Sequence, residues 1–292
     1  MLCFAANSVI TRYLVLVSQV SPFLVTVVRF VSGLGTLLLL SAIRPTSFRH
    51  DKPDFSYLIG AVFLGAYAFS ISYGYLFISV AAGTFVFYTF VVVTMAAYSV
   101  FVDKEAFTVR LGIGLLLGLL GVLIITFGGM TSVTLLGVLL MAVTGMSWGL
   151  YSAYGRRFSI PFSYTFNSFL IFGAIAVLFS LIVVGFFGSR AYATISLQDL
   201  ELALYMGMVS TALSYVVWNA TVKKIRASLG GLTQLIVPIL APVMGWVFLR
   251  EQLTPRLLLG GVFVLLGIYL IGSQATRQVD HGNWSDLLRP HQ

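Results

Sequence analysis

The sequence predicts an all-α membrane protein with ten transmembrane helices in a 5+5 inverted repeat. Three observations carry that expectation. The chain has 292 residues, 59% hydrophobic and 9% charged, with a mean hydropathy of +1.00, whereas soluble domains carry about 25% charged residues. Apolar stretches of about 18 or more residues recur along nearly its whole length. One block also occurs twice. Glu105-Ala106-Phe107-Thr108-Val109-Arg110-Leu111, followed by Gly114, Gly121, Val122 and Ile125, aligns without a gap to Glu251-Gln252-Leu253-Thr254-Pro255-Arg256-Leu257, followed by Gly260, Gly267, Ile268 and Ile271. Each copy closes a run of about five apolar segments, and an odd number of spans forces the second copy across the bilayer in the opposite sense.

The spans fall at about 1–17, 22–43, 56–77, 81–102, 109–127, 133–154, 162–187, 198–219, 229–249 and 255–273. Span one starts at Met1 with no polar leader and offers about 17 residues where about 20 cross a bilayer; either the true start lies earlier, or the helix is short because it lies in a packed interior. Span two opens on Ser21-Pro22. The connections are short except at about 44–55, which carries charge and proline, and about 188–197. The repeats are then 1–127 and 133–273, and 274–292 form a polar cytoplasmic tail, expected to be mobile. Lys and Arg set the orientation. Arg44, Arg49, Lys52, Lys104, Arg110, Arg156, Arg157, Lys223, Lys224, Arg226, Arg277 and Arg289 fall on one side, against Arg190, Arg250 and Arg256 on the other. Both termini are therefore expected in the cytoplasm, with the chain in a plasma (bacterial inner) membrane.

Composition narrows the function classes. The net charge of +8 is read as a topology signal; there is no basic stripe with interleaved aromatics, so nucleic acid is not an expected partner. The single Cys3 excludes an internal disulfide and a cysteine metal cluster, and His50, His281 and His291 are too scattered for a metal. No catalytic group, metal or other cofactor is expected. All nine acids fall in loops, at span ends or in the tail. A proton pump usually needs an intramembrane carboxylate, and ATP drive needs a phosphate-cradling Gly-rich loop, which the chain lacks. Facilitated diffusion or exchange is the simplest drive, with proton coupling through the substrate or a lone tyrosine as the alternative. Glu105 and Glu251 read as caps or ion-pair partners of the helix that follows each.

Arg29 lies about seven residues into span two, ~10 Å of helix at 1.5 Å per residue. A guanidinium there cannot shed its proton and needs an anion, a carbonyl or water. It either attracts a substrate anion or snorkels to the headgroups and braces a helix pair; Arg12, nearer its span end, is weighted toward the second role. Trp148, Tyr151, Ser152 and Gly155 share one face of span six; Gln234, Pro238, Ala241, Pro242 and Gly245 share one of span nine. Pro238 and Pro242 each remove a backbone donor, as a gate or a static kink. Glycines on spans five and ten suit close packing, with homodimerisation as the alternative.

Several motifs in order resemble the EamA group of the drug/metabolite transporter superfamily. Leu2-Cys3-Phe4-Ala5-Ala6-Asn7-Ser8 ending in Arg12, and Ser147-Trp148-Gly149-Leu150-Tyr151-Ser152 ending in Arg156, are similar to its first-helix pattern; Ser21-Pro22 with Arg29-Phe30 is similar to its second helix. Tyr215-Val216-Val217-Trp218-Asn219-Ala220, and Pro238, Pro242, Leu249, Glu251 and Leu253-Thr254, resemble its later signatures. Phe4 departs from the usual tryptophan, and Val92 and Ala96 stand where the second half has Pro238 and Pro242, which puts symmetric gating in doubt. The resemblance implies five-plus-five helices around a central cavity that opens alternately to each side. It also implies export or exchange of small metabolites, often amino acids or related compounds. On that packing, repeat-equivalent positions converge on the pseudo-twofold axis: Tyr88 stands for Gln234, Asn7 for Tyr151, Asn167 lies close to the place of Arg29, and Tyr73 near that of Trp218–Asn219. The candidate substrate cavity is thus Asn7, Arg29, Tyr73, Tyr88, Trp148, Tyr151, Asn167, Trp218, Asn219 and Gln234, with Pro238 and Pro242 as gating candidates. The alternative for each residue is interhelical hydrogen bonding or interfacial anchoring.

The expected function is secondary transport, as exporter or exchanger, of a small organic metabolite. The expected partners are that solute and the bilayer. A lipid-linked, sugar-phosphate or nucleotide-sugar translocator is the alternative. A channel would need charged rings or a carbonyl filter, and a membrane enzyme clustered His, Asp or Glu; neither pattern is visible.

Overall fold

The computed structural model describes residues 1–46, 48, 51–127, 133–187, 195–225, 230 and 233–281. Arg49, His50, Arg190, Arg226, Arg289 and His291, the start of span nine at residue 229, and the tail after His281 lie outside the described residues. Among the described residues ten helices follow one another and no strand forms. They are α1 (Leu2–Val17), α2 (Pro22–Ile43), α3 (Phe55–Gly74), α4 (Val80–Phe101), α5 (Val109–Phe127), α6 (Leu135–Gly155), α7 (Pro161–Phe187), α8 (Leu197–Val222), α9 (Gln234–Leu249) and α10 (Pro255–His281). Seven, α2 to α8, are long and apolar enough to cross a membrane; the apolar parts of α1, α9 and α10 are shorter.

Local chemistry sets the boundaries. Asp54, Ser79, Thr134 and Ser196 each accept a backbone N–H in the first turn of α3, α4, α6 and α8. Pro22, Pro161 and Pro255 occupy first positions, where no N–H is needed. Lys104 and Arg250, which precede the two glutamates of the duplicated block, are both left-handed, at φ 60 and 53. The helix of α10 runs on into the polar segment, to His281.

Two helices are not regular. The last turn of α1, Tyr13–Val17, is π-helical, and so is the middle of α8, Met206–Leu213. π-Turns inside α-helices concentrate at functional sites. In α9 the first turn, Gln234–Ile236, is 3₁₀, and Pro242 lies inside the helix.

Small residues let the helices touch backbone to backbone. On α5 and α10, a Cβ at Gly121 would stand 2.5 Å from the Gly260 carbonyl oxygen, and one at Gly267 would stand 2.6 Å from that of Gly114. These glycines are therefore occupied in an internal seam, the close-packing alternative of the sequence analysis. Leu116, Leu123, Leu258 and Leu266 on the same helices stay exposed, as a lipid-facing surface requires.

Candidate functional site

Buried aromatic rings converge in the middle of the bundle from α1, α3, α4, α6 and α8. Trp148 packs on Tyr215 at 4.6 Å, on Tyr67 at 5.2 Å and edge-on to Phe4 at 5.6 Å between centroids. Such pairs add about 0.5–1.5 kcal/mol each beyond burial. Their polar tips are paired across helices. Trp148 Nε1 donates to Gln234 Oε1 at 2.9 Å, tying α6 to α9; Trp218 Nε1 donates to Ser152 Oγ at 2.9 Å; Asn219 Nδ2 donates to Tyr151 Oη and Thr165 Oγ1. A residual cavity of about 10 Å³ remains, lined by Phe4, Asn7, Ser8, Tyr67, Phe87, Tyr88, Trp148 and Tyr215. That is room for about one water, against about 300–1,000 Å³ for a loaded small-molecule site. The cage as packed has no room for a small organic molecule.

Arg29 lies behind the cage, hydrogen-bonded to two of its lining residues, Tyr67 and Tyr215. Its side chain is fully buried, which removes the snorkelling role. Nε donates to Thr211 Oγ1 at 2.7 Å, and Nη2 donates to Tyr67 Oη at 3.0 Å and Tyr215 Oη at 2.8 Å. The guanidinium also lies 5.3 Å from the Tyr67 ring centroid. All these partners are neutral groups, and Nη1 has no partner. Asn7 donates Nδ2 to the same Tyr67 hydroxyl at 3.2 Å and leaves Oδ1 unpartnered. A buried cation without a counter-ion is costly, so the arrangement favours any anion able to reach Nη1.

The structure brings together Asn7, Arg29, Tyr88, Trp148, Tyr151, Trp218, Asn219 and Gln234, and buries Pro238 and Pro242 on α9 nearby. Two candidates stand elsewhere. Tyr73 is exposed on α3: its expected mate Asn219 follows a π-helical stretch that α3 lacks, and π-turns rotate the downstream face. Asn167 is buried beneath the α2–α3 connection, donating to the Asp51 carbonyl at 2.9 Å and to Ser163 Oγ at 3.3 Å. Glu251 reaches beyond the helix that follows it: it pairs with Arg12 of α1 at 3.2 Å and accepts the Val80 N–H of α4 at 2.8 Å. Sequence reasoning did not name Tyr67, Thr211 or Phe87 as site residues. Tyr67 carried no distinguishing signal, being one of four tyrosines, with Tyr57, Tyr73 and Tyr75, in the same apolar span.

The model of the EamA-like transporter family matches residues 1–127 and 135–273. The chain belongs to the EamA-like transporter family. Relatives agree with that membership: an uncharacterized protein of Pseudomonas aeruginosa is 32% identical, covering 93% of this chain and 91% of its own length. The uncharacterized transporter YoaV of Bacillus subtilis is 28% identical, with 87% and 88% covered. A solved crystal structure shares the fold at a TM-score of 0.66 and 19% identity, covering 95% of this chain and 97% of the other. This EamA protein is thus a multi-pass integral membrane protein of a transporter family.

Proposed function

We propose that this EamA protein is a secondary transporter that exports or exchanges small organic zwitterions with an apolar or aromatic body, amino acids being the leading class, by alternating access. The observation that carries the reading is the unpartnered Nη1 of Arg29 beside an aromatic cage. A carboxylate fits the guanidinium as a charge-assisted partner, the unpartnered Asn7 carbonyl suits an ammonium group, and the flat rings suit an apolar side chain. No step needs a catalytic group or cofactor. The five-plus-five inverted arrangement is part of the proposal. It is supported by the two family matches, by the left-handed residue before each glutamate and by the paired glycines of α5 and α10. Placement in a bacterial inner membrane with both termini cytoplasmic rests on the Lys and Arg distribution and on bacterial relatives.

Sugar-phosphate or lipid-linked cargo would also pair with Arg29. A phosphate dianion, however, would face the Asn7 carbonyl oxygen without a donor for it, which disfavours that class.

Counterflow in proteoliposomes tests the proposal. Vesicles preloaded with one unlabelled amino acid are expected to accumulate the matching labelled one, starting with aromatic and neutral members. Accumulation that does not depend on preload, or none across the panel with folded protein, would reject alternating-access transport of amino acids.

A further inference from the structure

One partly buried ion pair stands outside the cage. Arg12, five residues beyond Asn7 on α1, donates from Nε to Glu251 Oε1 at 3.2 Å and from its guanidinium to the Tyr75 carbonyl. Glu251, in the connection after α9, accepts the Val80 N–H at 2.8 Å through its other oxygen. It thereby sits at the N-terminus of α4, where an anion is favoured. Four segments are therefore fastened at one end of the bundle: the end of α1, the α3–α4 connection, the start of α4 and the α9–α10 connection. The four helices fastened in this way all carry cage residues: Phe4, Asn7 and Ser8 on α1, Tyr67 on α3, Phe87 and Tyr88 on α4, and Gln234 on α9.

The surroundings are those of a part that moves. α1 becomes π-helical immediately after Arg12, and α9 has a 3₁₀ first turn and an internal Pro242. Each helix thus has a local irregularity at which it can yield once the pair parts. Beside the pair, Trp246, Val247, Arg250, Glu251 and Gln252 line an open groove of about 450 Å³, so Glu251 is approached from outside rather than through the cage.

We propose that Glu251 is a proton-binding latch: ionised, it holds the cage shut at this end through Arg12 and Val80, and on taking up a proton it releases Arg12 and opens the cage to this face. Arg12 cannot lose its own charge, so the carboxylate is the member able to switch. The charged and titratable groups that face it are Arg12 from α1, Tyr75 from the end of α3 and Arg250 from its own connection; α4 presents backbone N–H groups. Burial raises the Glu251 carboxyl above the usual carboxylate range, and Arg12 opposes the shift. The latch is then whole above that raised pKa and lost as pH falls through it. The proposal rests on the transporter reading but concerns access, which can be read without transport.

The test is thiol labelling by a membrane-impermeant maleimide in vesicles of known sidedness, in a Cys3→Ala background. Ser8→Cys reports the cage, Gln252→Cys marks the latch face and Lys52→Cys the opposite face. Rates for Ser8→Cys are normalised to Gln252→Cys at the same pH, which cancels the chemistry of the thiol. Acidification is expected to raise the normalised rate from the latch face by at least about tenfold, equivalent to about 1.4 kcal/mol, and to leave the opposite face unchanged. E251Q is expected to label rapidly from the latch face at every pH. Unchanged labelling in E251Q, or equal acceleration from both faces, overturns the latch. A rapid E251Q with a wild-type latch that ignores pH overturns the proton. If E251Q does not insert, the pH response of the wild-type latch still decides.

Discussion

Arg29→Lys will keep the positive charge and lose transport. The guanidinium uses Nε and Nη2 on Thr211, Tyr67 and Tyr215 and keeps Nη1 for an incoming group. Lysine offers one ammonium on a flexible stem, so it cannot brace both tyrosines and also present a planar donor to a carboxylate. The expected loss is at least about tenfold in apparent affinity for a carboxylated solute, since a charge-assisted hydrogen bond contributes about 1.5–3 kcal/mol. Membrane insertion should be normal, because the cation is still there and neutral hydroxyls remain to satisfy it. Concentration dependence of counterflow, beside the amount of inserted protein, checks this. An unchanged apparent affinity would remove Arg29 from the site.

The second large effect is expected from a residue that touches no solute. A Cβ at Gly145 would stand 2.3 Å from the Phe87 carbonyl oxygen and 3.0 Å from the Val91 amide nitrogen. Both contacts are backbone, so no rotamer change relieves them, and Gly145→Val must drive α4 and α6 apart. Overpacking typically costs about 1–3 kcal/mol and at times more. Displacement at this point also carries Phe87 and Tyr88 away from Trp148, which follows one turn after Gly145. Lower thermal stability in detergent together with lost counterflow is the expected outcome; full stability and full transport in Gly145→Val would mean that the α4–α6 contact does not hold the cage.

How far the sequence revealed these features depends on whether a signal is local. Apolar runs are local, and they placed eight of the ten helices to within a few residues, the start of span nine lying outside the described residues and the last helix running on to His281. Membership of the family was legible for the same reason: its motifs are short and fall in order. Arg29 stood out because a charge inside an apolar run has no bland neighbour. Its partners did not, since Tyr67 and Tyr215 look like any membrane tyrosine until helix packing sets their hydroxyls beside the guanidinium. Glu251 shows the limit most clearly. Its chain neighbours suggest a cap for α10, whereas its actual partner lies 239 residues away in sequence. Tyr73 shows a different limit. Repeat alignment counts residues, but a π-helical segment in α8 turns that count into a different face.

In the proposed binding mode one solute is held at both of its charges, its carboxylate by Arg29 and its ammonium by Asn7. The most direct measurement is competition of labelled-solute counterflow by three forms of one compound: the free amino acid, its methyl ester and its N-acetyl derivative. The account predicts that the free form competes, while the ester and the acetylated form each lose at least about tenfold in potency. An ester that competes as well as the free acid would contradict it.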